Sequence, residues 1–278
     1  MADLSKQAEA SILGPFRKRI WEPFCRAVDR YGLVSPGDAV AVCISGGKDS
    51  MLLAKLMQLY QAERRDFDLR FLIMDPGYNP ENRQRVEENA RLLGIPYTLF
   101  ESEIFSVANA QTKNPCFLCA RMRRGHLYSM ARSLGCGTIA LGHHFNDVIE
   151  TTVMAMCWGG QLQAMAPVLD ASHFPGMRLI RPLYLVHEDD IIAWRDANGL
   201  SFIRCACRFT EQSEEDHTSK RLEVKKLLRR LREEDPGVEQ RVFDSLHHLQ
   251  AETFPGWKRG GEAAAQPGAP TRSGTSST

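Results

Sequence analysis

The chain has 278 residues, a formal net charge of +1, and a 43% share of apolar side chains that suffices for a packed core. That length allows one large or two small folded domains, and the near-neutral balance excludes a protein that binds nucleic acid through bulk basic charge. No run approaches the roughly 20 apolar residues of a membrane span, and Met1 to Gln7 lack the basic and apolar regions of a secretory leader. A cytoplasmic protein with no membrane partner is therefore expected.

Residues 5–31 read as a leading helix, because Ile12, Phe16, Ile20, Phe24 and Val28 recur every fourth residue along one face. Beyond Gly32 strands and helices alternate. Ala39 to Ile44 is an apolar run, and Leu52, Leu53, Leu56, Met57 and Tyr60 follow at helical spacing. Further strands are predicted at Leu69 to Met74, Tyr97 to Phe100, Thr138 to Leu141 and Arg178 to Ile180, with helical patterns between them. This alternation predicts an α/β fold: a doubly wound, mainly parallel sheet with an N-terminal helix and a C-terminal helical extension. His187 to Asn198, Ser219 to Arg232 and Val238 to Thr253 supply the extension, the first ended by Gly199. The expected divisions are 1–32 (N-terminal helical segment), 33–185 (sheet domain with a C-x-x-C insertion), 186–258 (helical extension) and 259–278. This last stretch holds almost no large apolar side chain and is expected to be disordered.

Between the first strand and its helix stands Ser45-Gly46-Gly47-Lys48-Asp49-Ser50. A glycine turn delivered onto a helix N-terminus presents unpaired N–H groups carrying about half a positive charge, which makes an anion site. The spacing matches neither G-x-x-x-x-G-K-[ST] nor G-x-G-x-x-G. It resembles the S-G-G-x-D-S signature of the PP-loop, or N-type ATP pyrophosphatase, superfamily, whose fold is adenine nucleotide alpha hydrolase-like. Members cleave ATP between its α and β phosphates and activate a substrate as its adenylate. On that resemblance Ser45, Gly46, Gly47, Lys48, Asp49 and Ser50 bind ATP, with Lys48 as a point charge and Asp49 as a magnesium ligand. Ligands of such sheets sit beyond the strands' carboxyl ends, which brings Met74 and Asp75, after the second strand, and Gly142 and His143, after the fourth, beside the loop. Within Ala140-Leu-Gly-His-His-Phe-Asn-Asp147, Asp147 is placed to share magnesium with Asp49.

Of the eight cysteines, Cys116 and Cys119 form a C-x-x-C pair before a helix beginning near Arg121, and Cys205 and Cys207 lie close together in R-C-A-C-R. Three chemistries fit: a four-thiolate zinc site, an iron-sulfur cluster on three thiolates, or a redox or persulfide pair. Cys25, Cys43, Cys136 and Cys157 fall among apolar neighbours and are expected to be inert core residues. Arg121, Arg123 and Arg124, and the predicted helix bearing Lys220, Arg221, Lys225, Lys226, Arg229, Arg230 and Arg232, are basic clusters able to follow a phosphate backbone.

Four segments point one way: S-G-G-K-D-S, C-F-L-C-A-R-M-R-R-G-H-L-Y, A-L-G-H-H-F-N-D with E-T-T and C-W-G-G behind it, and a late cysteine before C-terminal helices. Together, over residues 20–255, they resemble the tRNA 2-thiocytidine synthetase family. That resemblance implies adenylation of the C2 oxygen of an anticodon-loop cytidine and its replacement by sulfur. It implies ATP, Mg2+ and a [4Fe-4S] cluster held by Cys116, Cys119 and Cys205, with Cys207 as the alternate third ligand. Lys48, Asp49, Asp147 and the three cysteines are then catalytic, and Arg121, Arg123, Arg124, Lys225, Lys226 and Arg229 bind RNA. The implied partners are tRNA, a cysteine desulfurase or other sulfide donor, and a second copy of the chain. Two departures stand out: Asn146 replaces the aspartate of G-H-H-x-D-D, and Cys205-Ala206-Cys207 replaces C-x-x-C. The alternatives are a sulfurtransferase of the same superfamily acting on another tRNA base or a small molecule, and a non-catalytic nucleotide-binding or zinc-stabilised module.

Overall fold

The computed structural model describes residues 2–102, 104, 115–203 and 220–253; the side chains of 2, 3, 115–121 and 251 lie outside that set. The chain divides into two compact units, 1–230 and 231–278.

In the first unit the leading helical segment is broken. Helix α1 (Ala2–Leu13) ends before Gly14-Pro15, a π turn spans Arg17–Trp21, and α2 (Glu22–Arg30) follows. Pro15 and Pro23 lack the N–H a continuous helix needs, yet Ile12, Phe16, Ile20, Phe24 and Val28 all remain buried. Then come β1 (Ala39–Ile44), α3 (Lys48–Arg64), β2 (Asp68–Asp75), α4 (Pro80–Leu92) and β3 (Thr98–Glu101). Next are α5 (Pro115–Ser133), β4 (Thr138–Ala140), α6 (Phe145–Gly159), β5 (Val168–Asp170), β6 (Arg178–Ile180), α7 (Glu188–Ala197) and α8 (Lys220–Glu234).

The six strands lie in the order β3-β2-β1-β4-β6-β5. Each pair is parallel except β5 with β6. The antiparallel edge strand β5 escaped sequence analysis because Val168-Leu169-Asp170 is too short for an alternation to register. β1 alternates its side chains between two cores. Val40, Val42 and Ile44 pack with Phe71, Ile73, Met51, Leu52 and Trp194, while Ala41 and Cys43 pack with Leu72, Ile139, Leu179 and Tyr128. Helices thus cover both faces, as a doubly wound sheet requires.

The sheet is extended leftward from β1 by β2 and rightward by β4, so the carboxyl end of β1 is a topological switch point, where open α/β sheets form their ligand crevice. Two further boundaries differ from expectation. Helix α5 starts at Pro115, six residues before the predicted start, so Cys116 and Cys119 belong to its first turns. In the second unit α9 (Val238–Ser245) ends well short of Thr253, and among the described residues a 3-10 turn at Ala251–Thr253 follows it. There the Ser245 hydroxyl donates back to the Val242 carbonyl at 2.7 Å and competes with continued helix.

Candidate active site

The loop after β1 is built for an anion. Gly46 has φ +84°, and a Cβ there would stand 2.4 Å from Val86 Cγ2 and 2.8 Å from Ile203 Cδ1, so both conformation and space require glycine. Gly47 is the N-cap of α3 and no side chain caps the helix, which leaves the first-turn N–H groups open. The Ser50 hydroxyl is spent inside the loop: it accepts the Ser45 N–H at 3.1 Å and donates to the Gly47 carbonyl at 3.0 Å. Ser50 is buried and shapes the turn.

The loop after β4 is pressed against that turn. A Cβ at Gly142 would meet Asp49 C and Ser50 N at 3.0 Å, so only glycine lets the two backbones come so close. His144 then starts α6 with a capping box: its Nδ1 accepts the Asp147 N–H at 3.3 Å, and Asp147 Oδ2 accepts the His144 N–H at 3.1 Å. The Nε2 edge of this buried ring lies 3.5 Å from Asp147, 3.8 Å from Asp49 and 3.9 Å from Glu188. His144, absent from the predicted site residues, is the hub of the carboxylates. Its neighbour His143 is half-buried; burial, then Arg181, Arg221 and His144 against the opposing pull of Asp147, lower its pKa to about 4 and keep it neutral near pH 7.

Charges from four elements converge here. Lys48 Nζ lies 3.0 Å from Asp49 Oδ1 and donates to Glu188 Oε1 at 3.0 Å. Lys225, from α8, donates to both Glu188 oxygens at 3.3 and 3.0 Å and stands 3.7 Å from Glu150. Arg221 donates to Asp147 Oδ1 at 3.0 Å and lies 3.7 Å from Glu150. Burial opposes the charge on Glu188, but Lys48, His144 and Lys225 prevail and hold its pKa at about 2. Glu150 goes the other way: burial outweighs Lys225 and Arg221, and its pKa rises to about 7. Lys48 is held charged, because Asp49 and Glu188 overcome its burial.

Of the basic residues expected to face RNA on α8, Lys225 is half-exposed and pairs with Glu188, while Lys226 and Arg229 are exposed. Glu150, Glu188 and Arg221 were missed as site residues. Glu150 had a local signal, three residues after Asp147 on one helix face, but nothing near Glu188 in sequence marks it. Asp75 is buried and organises its own loop, accepting the Gly77 and Tyr78 N–H groups at 2.8 and 2.7 Å. Met74 is buried in β2 beside it. Arg181, buried at the carboxyl end of β6, donates to the Ala166 carbonyl, and burial with nearby Arg124 lowers its pKa to about 10. A cavity of about 410 Å³ lies at the opposite end of the sheet, beside Asp38, Thr138 and Arg178, away from these groups.

Asp49 Oδ1 and Glu150 Oε2 are buried without a hydrogen bond. Magnesium takes one or two carboxylates and completes its shell with phosphate oxygens and water, and the Asp49 carboxylate fits that ion, its Oδ1 facing the Lys48 ammonium at 3.0 Å without an aligned hydrogen bond. Asp147 Oδ1 accepts from Arg221 and Oδ2 from the His144 N–H, and among the described residues no group of three His, Cys, Asp or Glu side chains is placed to hold a metal ion by itself. Cys116 and Cys119 sit three apart on α5, their side chains outside the described set, as is the side chain of Arg121; Cys205 and Cys207 lie outside the described residues. Among the cysteines expected in the core, Cys43 and Cys136 are buried, with their thiol pKa values raised by burial, and Cys25 is half-buried, pushed up to about 12. Cys157 contradicts the expectation: it is exposed on the last turn of α6 with Met156 and Trp158, and Leu162 just beyond the helix is exposed as well.

A PP-loop domain model matches residues 21–230. The chain is 33% identical over 236 residues to a tRNA-cytidine(32) 2-sulfurtransferase of Anaeromyxobacter sp. (strain K), covering 84% of this chain and 79% of that one. It is 33% identical over 261 residues to the tRNA-cytidine(32) 2-sulfurtransferase of Paracidovorax citrulli (strain AAC00-1), covering 89% and 80%. Among solved structures, the U34-tRNA thiolase NcsA from Methanococcus maripaludis with its [4Fe-4S] cluster superposes with a TM-score of 0.64 at 22% identity, over 83% of this chain and 80% of that one, which establishes a shared fold.

Proposed function

The chain belongs to the PP-loop domain family and, within it, to the family of the tRNA-cytidine(32) 2-sulfurtransferases, and from that membership we propose that it is an ATP-dependent tRNA thiolase that converts an anticodon-loop cytidine to 2-thiocytidine. The observation that carries the reading is the uncapped N-terminus of α3 at the sheet's switch point, with the charged Lys48 and its Asp49 partner beside it.

In this reading the C2 oxygen of cytidine attacks the α-phosphorus of ATP and pyrophosphate departs. Sulfur from a sulfide donor then takes the place of that oxygen, which leaves with AMP. The first-turn N–H groups of α3 and the Lys48 ammonium neutralise the charge that gathers on the departing pyrophosphate. Gly46, Gly47 and Gly142 let backbone approach the nucleotide, Ser45 and Ser50 set the turn, and Met74, Asp75 and His143 border the adenosine end. Asp49, with Asp147 beside His144, would hold magnesium, which when bound offsets triphosphate charge. Cys116, Cys119 and Cys205, with Cys207 as the alternate third ligand, would hold a [4Fe-4S] cluster through their thiolates, and such a cluster would supply a soft site for sulfur. Arg121, Arg123, Arg124, Lys226 and Arg229 would guide the RNA, whose splayed loop bases can be read by stacking and base edges. A cysteine desulfurase or other sulfide donor, and a second copy of the chain, complete the proposed partners.

The test is nucleoside analysis of tRNA from cells lacking this protein. Loss of 2-thiocytidine, restored by the wild-type chain and not by Lys48→Ala, is expected. Unchanged 2-thiocytidine with another thionucleoside missing would move the activity to a different base.

A further inference from the structure

Helix α8 has two kinds of basic residue. Val224 and Leu228 are buried and fix its orientation on the first unit, Lys226, Arg229 and Arg230 face outward, and Arg221 and Lys225 reach back toward the loop after β1. One contact is informative. Glu188 Oε1 accepts from Lys48 Nζ at 3.0 Å and also from Lys225 Nζ at 3.3 Å, so two ammonium groups from distant parts of the chain meet on one oxygen.

From this we infer that Lys225 is a second triphosphate-binding lysine, held by Glu188 next to Lys48 at the mouth of the α3 N-terminus. The inference rests on the nucleotide reading of that loop. The physical case is geometric. Lys48 also has Asp49 at 3.0 Å and Lys225 has Glu150 at 3.7 Å, but the two mutually repelling ammonium groups crowd one Glu188 oxygen, an arrangement an incoming polyanion relieves. Lys225 is also half-exposed, with its ammonium on Glu188 at 3.0 Å from Oε2 and 3.3 Å from the Oε1 that Lys48 shares, whereas Lys226 and Arg229 are exposed. A lysine ammonium acts on a phosphate oxygen as a compact point charge, and an arginine at the same place would keep that charge. α8 would then contribute to both substrates, with one face on the nucleotide and the other toward the RNA.

The experiment is equilibrium binding of ATP and, separately, of AMP to wild-type, Lys225→Met and Lys225→Arg chains, with thermal melting as the check on folding. Lys225→Met is expected to lose at least tenfold in affinity for ATP and to bind AMP within twofold of wild type; Lys225→Arg is expected to recover most of the ATP affinity. A wild-type chain that binds ATP while Lys225→Met binds it equally well overturns the inference alone, and so does an equal loss for ATP and AMP, the mark of a tether. A wild-type chain that binds no ATP overturns the nucleotide reading and this inference together.

Discussion

The side-chain oxygen of Asn146 accepts the backbone N–H of Glu188 at 2.9 Å. The residue that departs from the family motif thus takes up an orphan donor in the first turn of α7, whose N-cap His187 makes no side-chain cap of its own. In doing so it anchors the backbone of the residue whose carboxylate meets Lys48 and Lys225. The substitution therefore gives no support to a chain that has lost turnover, since the amide performs a job an aspartate can also perform.

Replacing that acceptor tests the arrangement. Asn146→Ala is expected to cost about 1 kcal/mol of stability, the usual worth of a helix cap, and to weaken ATP binding by loosening Glu188. Asn146→Asp should match wild type in both denaturant midpoint and ATP affinity. An alanine variant indistinguishable from wild type in both measurements would refute the capping role.

Gly46 combines φ +84° with contacts a methyl group would violate. Gly46→Ala is expected to lose at least about 1 kcal/mol from the left-handed backbone alone and to abolish ATP binding, because relief of the overlap with Val86 and Ile203 has to move the turn. A chemical denaturation curve and an ATP titration check this, and an alanine variant that binds ATP normally rejects it.

Glu150 makes stability depend on pH in a direction opposite to most carboxylates. Its pKa is raised from 4.5 to about 7, so the stability it contributes is present below about 4.5 and is lost as pH rises through about 7. The shift sets a ceiling of about 3 kcal/mol. Glu150→Gln should therefore gain in melting temperature relative to wild type between pH 5 and pH 8. A wild-type-minus-mutant difference that stays flat, or grows with pH, contradicts a buried carboxyl that resists ionisation.

The outward row on α8 predicts salt-dependent RNA binding. Replacing Lys226 or Arg229 with alanine should weaken tRNA binding and flatten the plot of log affinity against log salt by about 0.7 for each lost contact to single-stranded phosphate. Slopes equal to wild type would remove these residues from the RNA surface.

For the metal centre, anaerobically purified chain should be brown, and Cys116→Ala, Cys119→Ala and Cys205→Ala should each bleach it while Cys207→Ala does not. Colour that survives Cys205→Ala and fails in Cys207→Ala would exchange the third ligand. A colourless wild type with one zinc would replace the cluster by a structural site.

The sheet domain was legible in sequence because its signals are local. A buried parallel strand announces itself as an apolar run, a turn onto a helix by its glycines, and Ser45 to Ser50 by residue types that few other structures need at that spacing. Asp49 was expected from its place in Ser45 to Ser50 and Asp147 from its place after the fourth strand, and His144 Nε2 lies 3.8 and 3.5 Å from the two. What tertiary structure alone decided was which distant side chains complete the site. Glu188 reaches Lys48 across 140 positions and Lys225 across 37, and Arg221 reaches Asp147 across 74. No periodicity encodes such pairs, since they depend on strand order and on the angle at which α7 and α8 pack. The same holds for burial: a basic helix reads as one charged surface in sequence, and only packing of Val224 and Leu228 separates Lys225, turned toward carboxylates, from Lys226, left in water. Local chemistry wrote the anion loop; the convergence of charges around it is a property of the fold.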